Sequence, residues 1–308
     1  MTDVPPIRPK ADKVRTAARG IGQTLITAGV VVLLFVVYEV YVTDLFGKEK
    51  QDKATSALDQ QWERDSSAVQ SGTPTLLSAA PASGATSSAA PGSSTKVITV
   101  TDPNVVANPS TRTANFAHPD GQGFAKIYVP SFGPDYVFTI IEGTSTEDLY
   151  TGPGHYSNTQ YPGEPGNFSV AGHRVSKGSP FNELGLLNSC DAMVIETETS
   201  WYVYRVLPMQ GEAANWTTTQ RAHCTGVAPQ AGAYAQTFGR EITVPSDYAQ
   251  VLPVPHVEST SVPAGAERLI TLTTCHPQFS DAQRMIIHGV LVKTYPKSAG
   301  TPPELNES

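Results

Sequence analysis

Twenty-two consecutive residues, IGQTLITAGVVVLLFVVYEVYV from Ile21 to Val42, contain one charged side chain, Glu39. As a helix rising 1.5 Å per residue this run is roughly 33 Å long, enough to cross a hydrocarbon core of about 30 Å. A secretory signal has a shorter apolar region followed by a small-residue cleavage site, and no such site follows here. The first 20 residues carry Arg8, Lys10, Lys13, Arg15 and Arg19 against Asp3 and Asp12, and the positive-inside rule keeps such a flank in the cytoplasm. The expected plan is a cytoplasmic basic tail at 1–20, a transmembrane helix at 21–43 and an extracellular remainder. Tyr38 and Tyr41 fall where an interfacial aromatic belt would sit, and Glu39 reads as a boundary residue.

The net charge of -7 then belongs mostly to an external domain. An anionic surface gains nothing from counterion release, so nucleic acid is excluded as a partner. Residues 48–67 are polar, lack Gly and Pro, and place Leu58 and Trp62 on one helical face, which predicts a juxtamembrane helix. Residues 71–95 are almost entirely Ser, Ala, Gly, Pro and Thr, too apolar-poor to offset chain entropy. A random coil of that length reaches about 25 to 30 Å, so a flexible linker within 44–121 is expected to let the domain stand off the membrane.

From residue 122 the pattern changes to short β-branched or aromatic runs broken by Gly, Pro, Asn and Asp. AKIYVPSF, DYVFTIIE, GNFSVAGH, DAMVIETE, SWYVYRVL, AQVLPVP, RLITLTTC and MIIHGVLVKTY are eight such runs, which predicts a mostly β barrel or sandwich over 122–296. Two short helices are expected: TSTEDLY, started by Thr144 with Glu147, and SPFNELGLL, with Ser179 as N-cap before Pro180. The tail at 297–308 is polar and Pro-containing and is expected to be disordered.

Within TLTTCHPQFSDAQR, Cys275 is open to three readings: a small buried side chain, half of a disulfide, or a nucleophile. A nucleophilic cysteine needs a neighbour that favours thiolate. His173 is a candidate, because it ends a strand-like run and begins a loop, where catalytic groups are often placed. Arg284 follows Cys275 by nine residues, enough for a strand end, a turn and the start of an antiparallel neighbour. Its guanidinium would then return toward the thiol and offer donors to a carbonyl or oxyanion. His173 precedes the cysteine, which is the wrong order for a papain-type enzyme. His276, adjacent to Cys275 on a strand, should face away from it.

A strand ending in TLTTC at 271–275, AGHR at 171–174 and an arginine a turn and a strand beyond the cysteine resemble the sortases, membrane-bound cysteine transpeptidases of Gram-positive bacteria. The resemblance covers about residues 122–295 with the N-terminal anchor. GPGHYSNTQYPGEPGNFSVAGHR is similar in wording to the actinobacterial class E members. It implies an eight-stranded β-barrel with short helices, with Cys275 as nucleophile, His173 as general acid and base, and Arg284 holding the substrate carbonyl or oxyanion. Thr274 would help orient substrate. The implied reaction cleaves an LPXTG-like signal, LAXTG in class E, between Thr and Gly through a thioacyl intermediate. The implied partners are surface proteins bearing a C-terminal sorting signal and the stem amine of the peptidoglycan precursor lipid II. No cofactor is implied. Alternatives are a pilus-polymerising sortase and a cell-wall peptide-binding domain without chemistry. Pilus enzymes often carry an Asp-Pro-aromatic lid, and Asp102-Pro103-Asn104 lacks the aromatic. IIHGVL at 286–291 is similar to an L,D-transpeptidase His-Gly step, but the cysteine motif that should follow it is missing.

Residues 209–240 depart from the resemblance as an apparent insertion of about 30 residues. Cys224 lies in it and Cys190 precedes a strand, and outside the cell neighbouring thiols oxidise, so a bridge between them would pin the insertion. Glu142, Glu147 and Asp148 read as solvated turn acids rather than a calcium site, and zinc-type ligand spacing is missing. Tyr136, Tyr150, Tyr156 and Tyr161 are candidates for a peptide groove or for rim packing.

Overall fold

The computed structural model describes residues 11–38, 43–71, 118–217 and 223–307. The predicted linker, the Asp102-Pro103-Asn104 site, Glu39 and Tyr41 lie outside these residues. Helix α1 spans Ala11–Val37. Its stretch Arg15–Val37 is long and apolar enough to cross a membrane, and its apolar window is not buried among the described residues.

Nine strands follow: β1 Gly123–Tyr128, β2 Val137–Glu142, β3 Gly154–His155, β4 Gly166–Ala171, β5 Ala192–Glu196, β6 Ser200–Val206, β7 Arg240–Thr243, β8 Arg268–His276 and β9 Gln283–Pro296. They are ordered β6-β5-β1-β2-β3-β4-β8-β9-β7, and a further β6–β9 pairing closes eight of them into a barrel. β7 lies outside that ring: it occupies the β9 edge at 284–287, while β6 takes the same edge from Gly289 onward. Closure removes the unpaired edges that an open sheet would present.

Strand alternation sorts the side chains. Phe168 and Val170 of β4, Ile270 and Leu272 of β8, and Met285 and Ile287 of β9 point into the barrel core with Ile127, Ile140 and Tyr204. The neighbouring positions therefore face outward. On that outer face Leu269 and Val290 join Leu207, Tyr234 and Val254 in a second cluster built partly from the 209–240 segment. This segment holds helix α4, Gln210–Ala213, and a Cys190–Cys224 disulfide ties it to the start of β5.

Several expectations are corrected. AQVLPVP is not a strand: Tyr248–Val251 is a 3-10 turn, and Pro253 and Pro255 have no N–H to give a ladder. Its backbone carbonyls are taken by side chains instead, Asn167 Nδ2 donating to Gln250 O and Leu252 O (3.2 and 3.0 Å) and Ser169 Oγ to Val251 O (3.1 Å). The two strands missed in the sequence, β3 and β7, are the two shortest. Helix α3, Thr146–Thr151, starts one residue later than expected, with Ser145 and Asp148 forming the capping box. In SPFNELGLL only Leu184–Leu186 is helical, as a 3-10 turn, and Ser179 has φ 42 rather than an N-cap geometry.

The tail is also ordered. Lys297–Ala299 and Pro303–Asn306 are 3-10 turns, Glu304 is buried, and Glu307 meets Arg205 through two hydrogen bonds of 2.8 Å. Arg205 is itself buried, so it needs an anionic partner that the sequence neighbourhood does not provide.

Helix α2, Thr43–Ser71, is not a free stalk. Its face Asp44, Gly47, Gln51, Thr55, Leu58, Trp62 recurs every three or four residues and lies on the barrel. Gln51 exchanges hydrogen bonds with the Thr139 N–H and carbonyl and reaches Thr151 O at 3.0 Å. Thr55 meets the Thr139 hydroxyl at 2.7 Å, Asp59 pairs with Lys126, Lys50 with Glu147, and Leu58 is buried. The linker from which stand-off was expected lies outside the described residues, and α2, which precedes it, is seated on the barrel. Asp44 is seven residues past Val37, at most about 25 Å of extended chain.

Candidate active site

Cys275 is the next-to-last residue of β8, and its parity follows Leu269, Thr271 and Thr273, so it faces outward. Across the β8–β9 hairpin its register partner is Arg284. Directly opposed antiparallel residues share a face with Cβ atoms about 5 Å apart. The nine-residue spacing thus makes the two residues a cross-strand pair.

β4 runs parallel to β8 with Ala171 opposite Thr273, and Gly172 N donates to Thr273 O at 3.0 Å beyond the last pair. His173 lies two residues past Ala171 as Cys275 lies two past Thr273, and both border one cleft. This cleft, of about 520 Å³, is also lined by Asp44, Arg174, Asn182 and Phe279. Phe181 N donates to His173 O at 3.0 Å, and the Phe181 ring packs where a side chain at Gly172 would stand. The backbone under the imidazole is thereby held. His173 Nε2 is buried and has no hydrogen-bond partner among the described residues. Burial, and then the Lys177 ammonium, hold the His173 pKa below its ordinary value.

Thr274 is turned the other way. It is buried, and its hydroxyl donates to Gly172 O at 2.7 Å. The hydroxyl expected to orient substrate thus ties β8 to the strand that carries His173. Arg284 donates from Nη1 to Asp281 O and Gln283 O, each at 3.0 Å. Its guanidinium rests on the hairpin backbone beside the cleft.

Arg174 and Asp44 were not candidates in the sequence, and Tyr156 was one only for a groove or rim. Arg174 donates to Cys275 O at 3.3 Å and meets His276 Nδ1 at 2.7 Å, lacing the histidine loop to the cysteine strand. Tyr156 meets the Thr273 hydroxyl at 2.9 Å. Its phenol is pushed up mainly by burial, with Arg284 and Cys275 acting on it in opposite directions. Asp44 arrives from α2. The AGHR wording gave a signal for Arg174, whereas nothing local links Asp44 to residues more than 130 positions away.

The other candidates have structural partners. Glu142 accepts from Tyr161 Oη and meets His155 Nδ1, both at 2.9 Å; Asp148 caps α3; Glu147 pairs with Lys50. Tyr136 donates to Pro180 O at 2.5 Å, and the Tyr150 ring carries Lys50 and Lys177 at 4.5 and 5.5 Å. His288 is buried between Thr271 and Gln250.

The family model described as Sortase domain matches residues 127–292, more than half of the chain, and includes His173, Cys275 and Arg284 but not α2. This chain belongs to the sortase family. Sortase SrtE1 of Streptomyces coelicolor is 28% identical over 296 residues, covering 94% of this chain and 61% of SrtE1, so the match spans less than two thirds of that relative. Sortase SrtE2 of the same organism is 26% identical over 290 residues, 91% of this chain and 85% of SrtE2. Among solved structures, the SrtF sortase from Corynebacterium diphtheriae is 45% identical with a TM-score of 0.56, covering 64% of this chain and 98% of that one. The likeness to proteins bearing the SrtE designation agrees with the class E wording of the His173 motif.

Proposed function

We propose that this sortase is a membrane-anchored cysteine transpeptidase that cuts a sorting signal of the LAXTG type between Thr and Gly and transfers the new acyl end to an amine of a peptidoglycan precursor. The observation that carries the reading is one cleft lined by Cys275 and His173, with Arg284 directly across from the cysteine.

In the first half the Cys275 thiolate adds to the threonine carbonyl carbon. The oxyanion formed would be met by Arg284 once its guanidinium exchanges hairpin carbonyls for substrate. The C–N bond to glycine then breaks, and the leaving amine takes a proton from His173. A depressed pKa makes the imidazolium a stronger acid for this step. In the second half neutral His173 takes a proton from the incoming amine, which attacks the thioester and releases the thiolate. The basic N-terminal flank orients α1 with the catalytic domain outside the cell.

The test uses the full-length protein in detergent with fluorogenic LAXTG and LPXTG peptides and a diamine or glycine acceptor. Cleavage and acceptor-joined product are expected, falling by about three orders of magnitude or more in Cys275→Ala and His173→Ala. A faster LAXTG reaction assigns the class E signal. Binding of either peptide with no cleavage, while Cys275 stays free and alkylatable, would replace this reading with a peptide-binding role.

A further inference from the structure

The loop leaving His173 is held in an unfavourable backbone conformation. Ser176, Lys177, Gly178 and Ser179 have φ of 59, 53, 80 and 42 in succession, and three of the four are not glycine. L residues in this region persist only where surrounding structure imposes it. Ser179 N to Ser176 O, 2.9 Å, is a bond within the loop itself. The constraint from outside comes from the first turn of α2. Asp44 Oδ1 accepts from Gly178 N at 3.0 Å. One turn on, Gly47 lies so close that a Cβ there would stand 2.5 Å from the Lys177 carbonyl carbon and 2.8 Å from Gly178 N. Asp44 also lines the cleft that holds His173 and Cys275.

We propose that Asp44 is a positioning residue of this sortase, clamping the strained loop so that His173 keeps its place beside Cys275, and that activity therefore depends on α2 being docked. Gln51, Thr55 and Asp59 fix the rest of the helix on β1 and β2, so the clamp sits at one end of a helix seated along the barrel. The inference rests on reading His173 and Cys275 as the reacting pair.

The experiment compares the full-length protein in detergent with Asp44→Ala, Asp44→Asn and Gly47→Ala. Asn keeps an Oδ1 that accepts from Gly178 N–H, whereas Ala removes it and Gly47→Ala forces the helix off the loop with Asp44 intact. Asp44→Ala and Gly47→Ala are expected to lower kcat by about tenfold to a hundredfold, the scale of small misplacements of a catalytic group, with KM within about twofold of wild type. Asp44→Asn is expected to restore kcat. A second reading needs no peptide: the pH dependence of Cys275 alkylation by iodoacetamide, in which His173→Ala identifies the inflection due to His173. The charged and titratable groups around that imidazole are Lys177 and Arg174 on its loop, Asp44 from α2, Cys275 from β8 and Asp281 from the hairpin. Releasing the loop admits water and withdraws Lys177, so the inflection moves to higher pH in Asp44→Ala and Gly47→Ala and returns in Asp44→Asn.

Wild-type kcat and an unmoved inflection in both Asp44→Ala and Gly47→Ala overturn the clamp. Equal damage in Asp44→Asn and Asp44→Ala overturns it in favour of a role for the charge. If Asp44→Ala unfolds, Gly47→Ala decides alone. If the wild type cuts neither peptide while the inflection moves as described, the clamp stands and the transpeptidase reading falls.

Discussion

Burial and the Lys177 ammonium both act on His173 in the same direction, favouring neutral imidazole. Removing the second cause has a definite sign. Lys177→Gln keeps the stem but not the charge, so the His173 pKa rises toward its ordinary value and the acidic limb of kcat/KM moves to higher pH. A pH–rate profile of the variant checks this, and a limb that stays put or moves down would show that Lys177 does not face the imidazole in solution. Cys275, His173 and Arg284 were legible as candidates because each sits in a short local pattern. The direction in which a side chain points was legible only for residues on one strand: parity puts Thr274 opposite to Cys275, yet its bond to Gly172 O depends on β4 lying beside β8.

At the scale of elements, the long strands announced themselves by β-branched content, while β3 and β7, of two and four residues, exist because neighbours supply their partners. AQVLPVP shows the reverse: an apolar run with strand composition whose prolines forbid a ladder, held instead by Asn167 and Ser169. The tail read as disordered because its residues are polar, but Arg205, buried beneath it, supplies the reason for order. Glu307→Ala leaves that guanidinium without its carboxylate. A loss of about 2 to 4 kcal/mol in urea unfolding is expected, toward the low end because Glu307 retains some contact with water. Unchanged stability would mean that the tail adds nothing to the fold.

For the whole molecule, the Cys190–Cys224 bridge closes a loop with a sequence separation of 34 and roots the 209–240 segment on the barrel. On the chain-entropy account such a loop is worth about 3 to 4 kcal/mol. The folded, unreduced protein should titrate a single thiol, Cys275, and Cys190→Ser with Cys224→Ser should lower Tm while leaving Cys275 alkylation unchanged. Three titratable thiols in the unreduced protein would remove the bridge. The disulfide and the docked α2 each seat a segment remote in sequence on the barrel.

What this chain determines by its sequence alone is what depends on near neighbours along it. An apolar run of sufficient length specifies a span, alternation specifies strands and their faces, and a cysteine nine residues before an arginine specifies a hairpin pair. What only the tertiary structure decides involves groups distant in sequence whose meeting carries no local signature. The docking of a largely polar α2, the Asp44 contact with Gly178, the Glu307 partner of Arg205 and the side-chain seating of 248–254 are all of this kind. The physical reason is that buried polar and strained groups must be satisfied by whatever the fold brings within about 3 Å, and sequence distance does not enter that requirement.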